Sequence, residues 1–188
     1  MDELYRQVLH LVFGVLIAIV VFALPEKTTV ALLILSIFIG AVLSDLISKK
    51  YHIPLISELV DKLDRKDIMP GRGALFFVIG VVVPLLFFEK EIVFLGVLVH
   101  SVLDSVSTIV GQNFGKHRTY NKKSLEGSLA GFVSALLLLF LFSNTFAFLA
   151  PNVIIIVALI ATLSELFIPV NDNLIIPLIT SVTLGVVI

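Results

Sequence analysis

The sequence contains no cysteine and few charged residues. Without cysteine, the chain can form neither a disulfide framework nor a thiolate metal site. Only 14% of the 188 residues are charged and 59% are hydrophobic, whereas a soluble domain has about 25% charged and about 45–50% apolar residues. The net charge of −1 leaves no overall basic surface, so no nucleic-acid partner is expected. Together with a mean hydropathy of +1.13, this composition predicts an integral membrane protein.

Long apolar runs account for most of the chain. A membrane helix needs about 20 apolar residues. The runs are continuous rather than alternating, which favours helices over strands, and no cleavable signal is expected in the first run. We therefore predict an all-α integral membrane protein with about seven transmembrane helices in one polytopic domain, residues 1–188. The last run contains Pro177, and whether it spans fully is left open. The predicted spans are 8–24, 28–48, 73–88, 91–110, 128–149, 153–169 and 173–188.

The cations divide unevenly between the two sides of this topology. Seven spans place 11 of the 13 Lys and Arg residues on the side of the N-terminus and only Lys27 and Lys90 on the other. Short loops rich in Lys and Arg stay in the cytoplasm. We therefore expect a cytoplasmic N-terminus.

The loop between the second and third spans has a helical pattern of its own. Within PLISELVDKLDRKDIM, apolar residues recur at helical spacing opposite charged ones. This pattern predicts an amphipathic helix over about 54–69 that lies on the cytoplasmic surface as an anchor. A role in gating a substrate is the alternative. The apolar face holds Ile56, Leu59, Val60 and Leu63, and the polar face holds Glu58, Asp61, Lys62 and Arg65.

Four carboxylates interrupt the apolar runs: Asp45, Asp104, Glu165 and Asp172. An ionisable residue within a span is costly and indicates a functional site. All four lie toward the predicted cytoplasmic ends. A transporter or pump needs such groups near the midplane, whereas an enzyme with a water-soluble co-substrate needs them at one face. The distribution therefore favours an enzyme.

The fourth run carries a polar stripe, HSVLDSVSTIVG. Its members His100, Asp104, Ser107 and Thr108 share one helical face. For His100 we expect a structural role, as a hydrogen-bonding partner of Asp104. For Asp104 itself we expect a function, because a buried carboxylate without a cation is hard to keep ionised.

The polar stretch GKHRTYNKKSLEGSLAG follows this run and differs from its surroundings. Its glycines allow a ligand to approach the backbone, and Lys122 and Lys123 precede Ser124, which would cap the next helix. Helix N-termini and lysines attract phosphate. We therefore predict a cytoplasmic anion site for a polyphosphate over about 111–127. Asp104 could hold Mg²⁺ bound to the same phosphates. A loop that is basic only for topological reasons is the alternative, and GxxxxGK[ST] is absent.

The residues from Leu103 to Gly131 resemble a known family. LDSVSTIVGQNFGKHRTYNKKSLEGSLAG is similar to D-x2-[AS]-x3-G-x2-[FY]-G-K…K-S-x-E-G-S-x-[AG]-G of the CTP-dependent lipid kinases. These are the dolichol, phytol and farnesol kinases and the CTP-dependent diacylglycerol kinase, relatives of phosphatidate cytidylyltransferase. ELYRQVLHLVFG, PGRGALFF and TLSELFIPVNDNLIIPL resemble further segments of that family in the same order. The P-G-H-G-G-x-x-D-R-x-D ending of the cytidylyltransferases is missing, which favours a kinase.

The resemblance implies transfer of the γ-phosphoryl group of CTP to the hydroxyl of a membrane lipid, with Mg²⁺ as cofactor. It also makes the loop over about 111–127 a nucleotide-binding loop. It implies catalytic roles for Asp104, Glu165, Asp172 and Lys123, and the three carboxylates would hold the metal. The acceptor lipid is left open, and so is a homodimer. The residues that would bind CTP are Arg6, His10, Gly111, Gly115, Lys116, Lys123, Ser124, Glu126, Gly127 and Asn173.

A cytidylyltransferase that makes a CDP-lipid is the nearest alternative, because it would share the CTP site. A small permease without chemistry is the alternative from another class.

Overall fold

The structure, a computed structural model, describes residues 3–63, 69–119 and 123–188, with the backbone alone for 61–63. Eight helices and no strand occur in these ranges, so the predicted all-α class is confirmed. The helices are α1 (Glu3–Ala23), α2 (Glu26–Ser48), α3 (Ile56–Leu63), α4 (Arg72–Leu85), α5 (Lys90–Phe114), α6 (Leu125–Phe142), α7 (Pro151–Phe167) and α8 (Asp172–Val187).

The helices differ in their ability to cross a bilayer. α1, α2, α5 and α6 are long and apolar enough to do so, which supports a membrane protein. α4, α7 and α8 are apolar too, but they have only 14, 17 and 16 residues. At 1.5 Å per residue they fall short of a hydrocarbon core about 30 Å thick, unless the bilayer thins around them. The count of seven spans and the cytoplasmic N-terminus therefore stay predictions.

Several boundaries differ from those expected. α5 continues to Phe114, so the polar connection to α6 is shorter than the predicted 111–127. α6 ends at Phe142, where the backbone N–H groups of Ser143 and Thr145 donate to the carbonyl oxygens of Phe140 and Phe142 and so close tight turns. α8 is one continuous helix although it contains Pro177.

The predicted amphipathic helix forms in part. Its helical residues are those of α3, and residues 64–68 lie outside the described part of the chain, as do the side chains of Asp61, Lys62 and Leu63. Its place on a membrane surface stays a prediction.

α5 is the central helix of the bundle. It packs against α1, α6 and α8, and more lightly against α4 and α7. The contact with α6 depends on glycine: a Cβ on Gly127 would lie 2.5 Å from the Ser107 carbonyl oxygen, and one on Gly131 would lie 3.1 Å from the Ser107 side chain. Gly127 and Gly131 therefore allow α6 to pack closely against α5.

Candidate functional site

Three of the four carboxylates found in the apolar runs meet at one end of the bundle. Asp104 comes from α5, Glu165 from the last turn of α7 and Asp172 from the first turn of α8. One oxygen from each lies within 4.8 Å of the others. The fourth, Asp45, lies elsewhere on α2, where it is exposed and pairs with Lys49 at 2.7 Å. The one-sided grouping predicted from the sequence therefore corresponds to a cluster of three residues.

Lys123 joins two of these carboxylates. Its Nζ lies 2.9 Å from Glu165 Oε1 and 2.9 Å from Asp172 Oδ2, and it also donates to the Glu165 carbonyl oxygen. Lys123 stands just before α6, so this ion cluster ties the start of α6 to the junction between α7 and α8.

The two carboxylates also set the protonation of Lys123. Burial by itself lowers the pKa of Lys123, but Glu165 and Asp172 outweigh it and raise that pKa above its ordinary value. A lysine with a raised folded-state pKa contributes its full stability below its unfolded pKa, and loses it only as the pH rises through the folded value. The cation is therefore in place at neutral pH.

Glu165 is the most buried member of the cluster, with a side chain that is 4% exposed. Its Oε1 accepts hydrogen bonds from Lys123 and from Ser107, the latter at 3.0 Å. Its Oε2 is buried and has no hydrogen-bond partner among the described residues. A buried carboxylate oxygen without a partner is costly, and three converging carboxylates are hard ligands of the kind that Mg²⁺ prefers. The residues present therefore fit a divalent cation.

Two histidines and a phenylalanine lie behind Asp104. His10 Nε2 is 3.5 Å from Asp104 Oδ2, which is close enough for an ion pair but forms no hydrogen bond. The fully buried His100 ring packs edge-on against His10, with 5.1 Å between ring centroids, and Phe77 packs against both. The expectation that His100 is the hydrogen-bonding partner of Asp104 was wrong, because α1 brings His10 into that place.

The cluster lies in a cavity of about 890 Å³. Asp104, Lys123, Glu165 and Asp172 line its polar part, and apolar side chains of α1, α3 and α4 line the remainder. Of the further residues expected at a nucleotide site, those that line this cavity are Arg6, His10, Gly111, Ser124 and Asn173.

Three of these further residues have a local role as well. Arg6 pairs with Glu3 one turn earlier. Asn173 donates from Nδ2 to the Gly73 carbonyl oxygen at 3.0 Å, which ties α8 to the start of α4. Ser124 caps α6 by accepting a hydrogen bond from the Gly127 backbone at 3.1 Å, as its position in the sequence predicts.

The remaining predicted residues lie outside the cavity wall. Glu126 faces away from it and pairs with His117, with 2.6 Å between Oε1 and Nδ1. Lys116 is exposed. Gly115 and Gly127 sit against Ser124, since a Cβ on Gly115 would lie 2.6 Å from its Oγ. Lys122 lies outside the described residues. The structure therefore does not bring Lys116 or Glu126 to the carboxylates, and their roles stay predictions.

Some cavity residues were missed from the sequence. Arg72 opens α4 directly after Gly71, which has a φ of 72°, and Arg118 stands in the loop before α6. Gln112 lines the cavity from the last turn of α5. In the sequence, Arg72 and Arg118 are two of the 11 cations that indicate the cytoplasmic side. No short-range motif marks them as members of one site.

Comparison with known proteins gives one relative along the full chain and one partial relative. No family model and no solved structure matches. The uncharacterized protein MJ1137 of Methanocaldococcus jannaschii is 40% identical over 185 residues, which cover 96% of this chain and 92% of that protein. CTP-dependent diacylglycerol kinase 1 of Schizosaccharomyces pombe is 32% identical over 103 residues, 51% of this chain and 46% of the kinase. The chain therefore belongs to the same family as the Methanocaldococcus jannaschii protein, and about half of it is similar to a CTP-dependent lipid kinase.

Proposed function

We propose that this protein is a CTP-dependent kinase that phosphorylates the hydroxyl of a membrane lipid alcohol of the polyprenol or diacylglycerol type. The observation that carries the proposal is the cavity in which three carboxylates and a lysine adjoin an apolar wall. Such a cavity suits a reaction between a charged nucleotide and an apolar alcohol. The partial similarity to a CTP-dependent diacylglycerol kinase supports the same chemistry.

The proposed topology has seven spans with the N-terminus and the cavity on the cytoplasmic side. The cavity's charged residues stand at the starts of α1, α4 and α8, just before α6, in the last turn of α7, and on α5 at Asp104, ten residues before that helix ends. Seven successive crossings place these ends on one side of a bilayer. That side carries most of the cations, in agreement with the positive-inside rule. In this arrangement α3 lies at the cytoplasmic interface.

Asp104, Glu165 and Asp172 would hold Mg²⁺. When bound there, the ion would neutralise charge on the phosphates of CTP. Cations of the chain would add to this: Lys123 in the ion cluster, and Arg6, Arg72 and Arg118 on the cavity wall. Lys116 would contribute only if its loop moved toward the cavity.

In the proposed reaction, the lipid hydroxyl oxygen bonds to the γ-phosphorus of CTP. The bond between that phosphorus and the oxygen bridging to the β-phosphorus breaks, and CDP leaves. The hydroxyl proton passes to a carboxylate. Asp172 suits this role better than Glu165, because its side chain is 28% exposed and that of Glu165 only 4%.

The test uses purified protein in detergent with Mg²⁺ and CTP labelled in either the α or the γ phosphate. Polyprenol, geranylgeraniol, diacylglycerol and phosphatidate are offered in turn. We expect γ label in the lipid fraction, and the accepting lipid then names the substrate. Transfer of α label would instead indicate a cytidylyltransferase. No transfer to any acceptor, in a preparation whose melting temperature CTP does not raise, would favour a permease.

A further inference from the structure

The cavity changes character along α1. Arg6 and His10 line its polar part, and Phe13 and Ile17 follow on the same face of the helix. From His10, which lies beside Asp104, to Ile17 the helix rises by about 10 Å. The apolar part therefore begins at the carboxylates and runs toward the interior of the bundle.

α4 forms the opposite wall through Ala74, Phe77 and Val78. α1 and α4 both pack against α5, but their backbones stay apart, and Phe77 of α4 reaches His10 of α1 across the space between them. We name the apolar part of the cavity between these two helices the α1/α4 groove and define it by Phe13, Ile17, Ala74, Phe77 and Val78.

The groove has a closed floor and an open side. Phe77 is 5% exposed, and its ring packs against both His10 and His100 at centroid distances of 5.7 and 5.4 Å. Phe13 lines the same groove but is 52% exposed. Because α1 is apolar and long enough to span, this open side would face the hydrocarbon of the bilayer.

We infer that the α1/α4 groove holds one hydrocarbon chain of the acceptor alcohol, with its hydroxyl beside Asp104, and that Phe13 and Ile17 set the preference for that chain. This inference rests on the proposed function. Continuity of the groove with the carboxylates, and its opening toward lipid, identify the occupant as a bilayer chain rather than a peptide. Isoprenoid alcohols and acylglycerols share this chemistry. A second acyl chain would stay in the bilayer.

Substitution of Ile17 by Trp fills the deep end of the groove and tests the inference by turnover. For each acceptor class, kcat/KM is compared between a long and a short member: geranylgeraniol against dimethylallyl alcohol, and dioleoylglycerol against dihexanoylglycerol. We expect the long-to-short ratio to fall at least about tenfold, as for a pocket that loses room for a few carbons. The acceptor class whose long-to-short ratio falls more is the native substrate class.

Leu16→Trp is the matched control, because Leu16 is the adjacent residue, is 51% exposed and does not line the cavity. Its ratio should equal that of the wild type. Phe13→Trp replaces Ile17→Trp if the latter does not fold, since Phe13 is half exposed. An unchanged ratio in a folded groove variant, or an equal fall in Leu16→Trp, would overturn the inference.

A binding measurement separates the groove from the chemistry. A long-chain primary alcohol with a diazirine near its chain end is photolysed with the detergent-solubilised protein in the absence of CTP, and the labelled peptides are mapped. We expect label on the groove residues of α1 and α4, reduced in Ile17→Trp. Label spread evenly over the exposed faces of α1 and α2 would reject the groove. Groove labelling without transfer from CTP would keep the groove and reject the kinase.

Discussion

The two ends of the bundle share α1 and α5 but have opposite chemistry. At one end, three carboxylates, Lys123 and His10 surround a cavity. At the other, rings pack against one another with centroids between 5.0 and 6.3 Å apart. The only cation described in contact with those rings is Lys90, which donates to the Phe22 carbonyl oxygen at 2.9 Å. The members of this phenylalanine end are Phe22, Phe94, Phe142, Phe146 and Phe148.

The contrast shows which residues the fold requires. The phenylalanine end brings α1, α5 and α6 together by ring packing and one exposed lysine, so helices of this composition can be joined without buried charge. The carboxylate end accepts a costly group on each of three helices, and leaves Glu165 Oε2 without a partner among the described residues. Charges that packing does not require are best explained by a ligand.

The largest expected effect tests the carboxylate end directly. Asp104→Asn keeps the shape of the side chain and removes its charge, so we expect γ-label transfer from CTP to fall at least about a hundredfold. Membrane insertion and the melting temperature should change little. Asp45→Asn is the control, because Asp45 is exposed and pairs only with Lys49 in the described structure. Wild-type turnover in Asp104→Asn would remove Asp104 from the site.

Lys123→Met should separate stability from metal binding. The change leaves Glu165 and Asp172 close together without their cation, and we expect a loss of about 2 kcal/mol, between the values for buried and for exposed pairs. Mg²⁺ should restore part of this loss, because a divalent cation can replace the ammonium group between the carboxylates. Thermal unfolding in detergent, with and without Mg²⁺, measures both effects.

The matched control for this change is Lys49→Met, which breaks an exposed pair at 2.7 Å. It should change stability little, and its response to Mg²⁺ should equal that of the wild type. If Lys123→Met melted like the wild type, the ion cluster would not hold α6, α7 and α8 together.

A change at the phenylalanine end should lower stability and leave turnover unchanged, which is the reverse of the effect expected for Asp104→Asn. Phe146 packs against four other rings, at 5.5 to 6.3 Å. Phe146→Leu keeps an apolar side chain, so we expect a loss of about 1 kcal/mol from the aromatic contacts. Turnover per folded molecule should stay at the wild-type value. A specific loss of turnover, measured after correction for the folded fraction, would show that the two ends are coupled.

Much of the difference between the carboxylate end and the rest of the bundle could be predicted from the sequence. Hydrophobic runs predicted the helices, and the positions of Asp104, Glu165 and Asp172 within the runs predicted a site at one end. The lengths of the apolar runs predicted the ends of the helices less well. α5 continues for a polar last turn, and α6 stops at the turns that follow Phe142.

Side-chain direction could not be predicted in the same way. Asp45 is a carboxylate within an apolar run like the three cluster members, yet α2 packs at the edge of the bundle and leaves it exposed. His10 rather than His100 lies at Asp104, because the packing of α1 on α5 decides that contact. Arg72 and Arg118 reach the cavity from loops and helix starts that no periodic pattern describes.

The smallest expected effect concerns Glu126, where the family resemblance and the geometry disagree. The resemblance implies that Glu126 belongs to the CTP and metal site. In the structure it instead accepts hydrogen bonds from the His117 backbone at 3.2 and 3.3 Å and pairs with the His117 ring, outside the cavity. Glu126→Gln keeps an oxygen that can accept these bonds. We therefore expect kcat and the KM for CTP to stay close to the wild-type values.

His117→Ala serves as the companion variant, because it removes the ring contact and leaves the carboxylate of Glu126 in place. If Glu126 acts only through the loop before α6, His117→Ala should alter the KM for CTP at least as much as Glu126→Gln does. A large fall in kcat for Glu126→Gln alone would mean that the carboxylate turns into the cavity when CTP binds. Nucleotide binding would then move the Glu126 side chain from the outer surface of α6 to the polar part of the cavity.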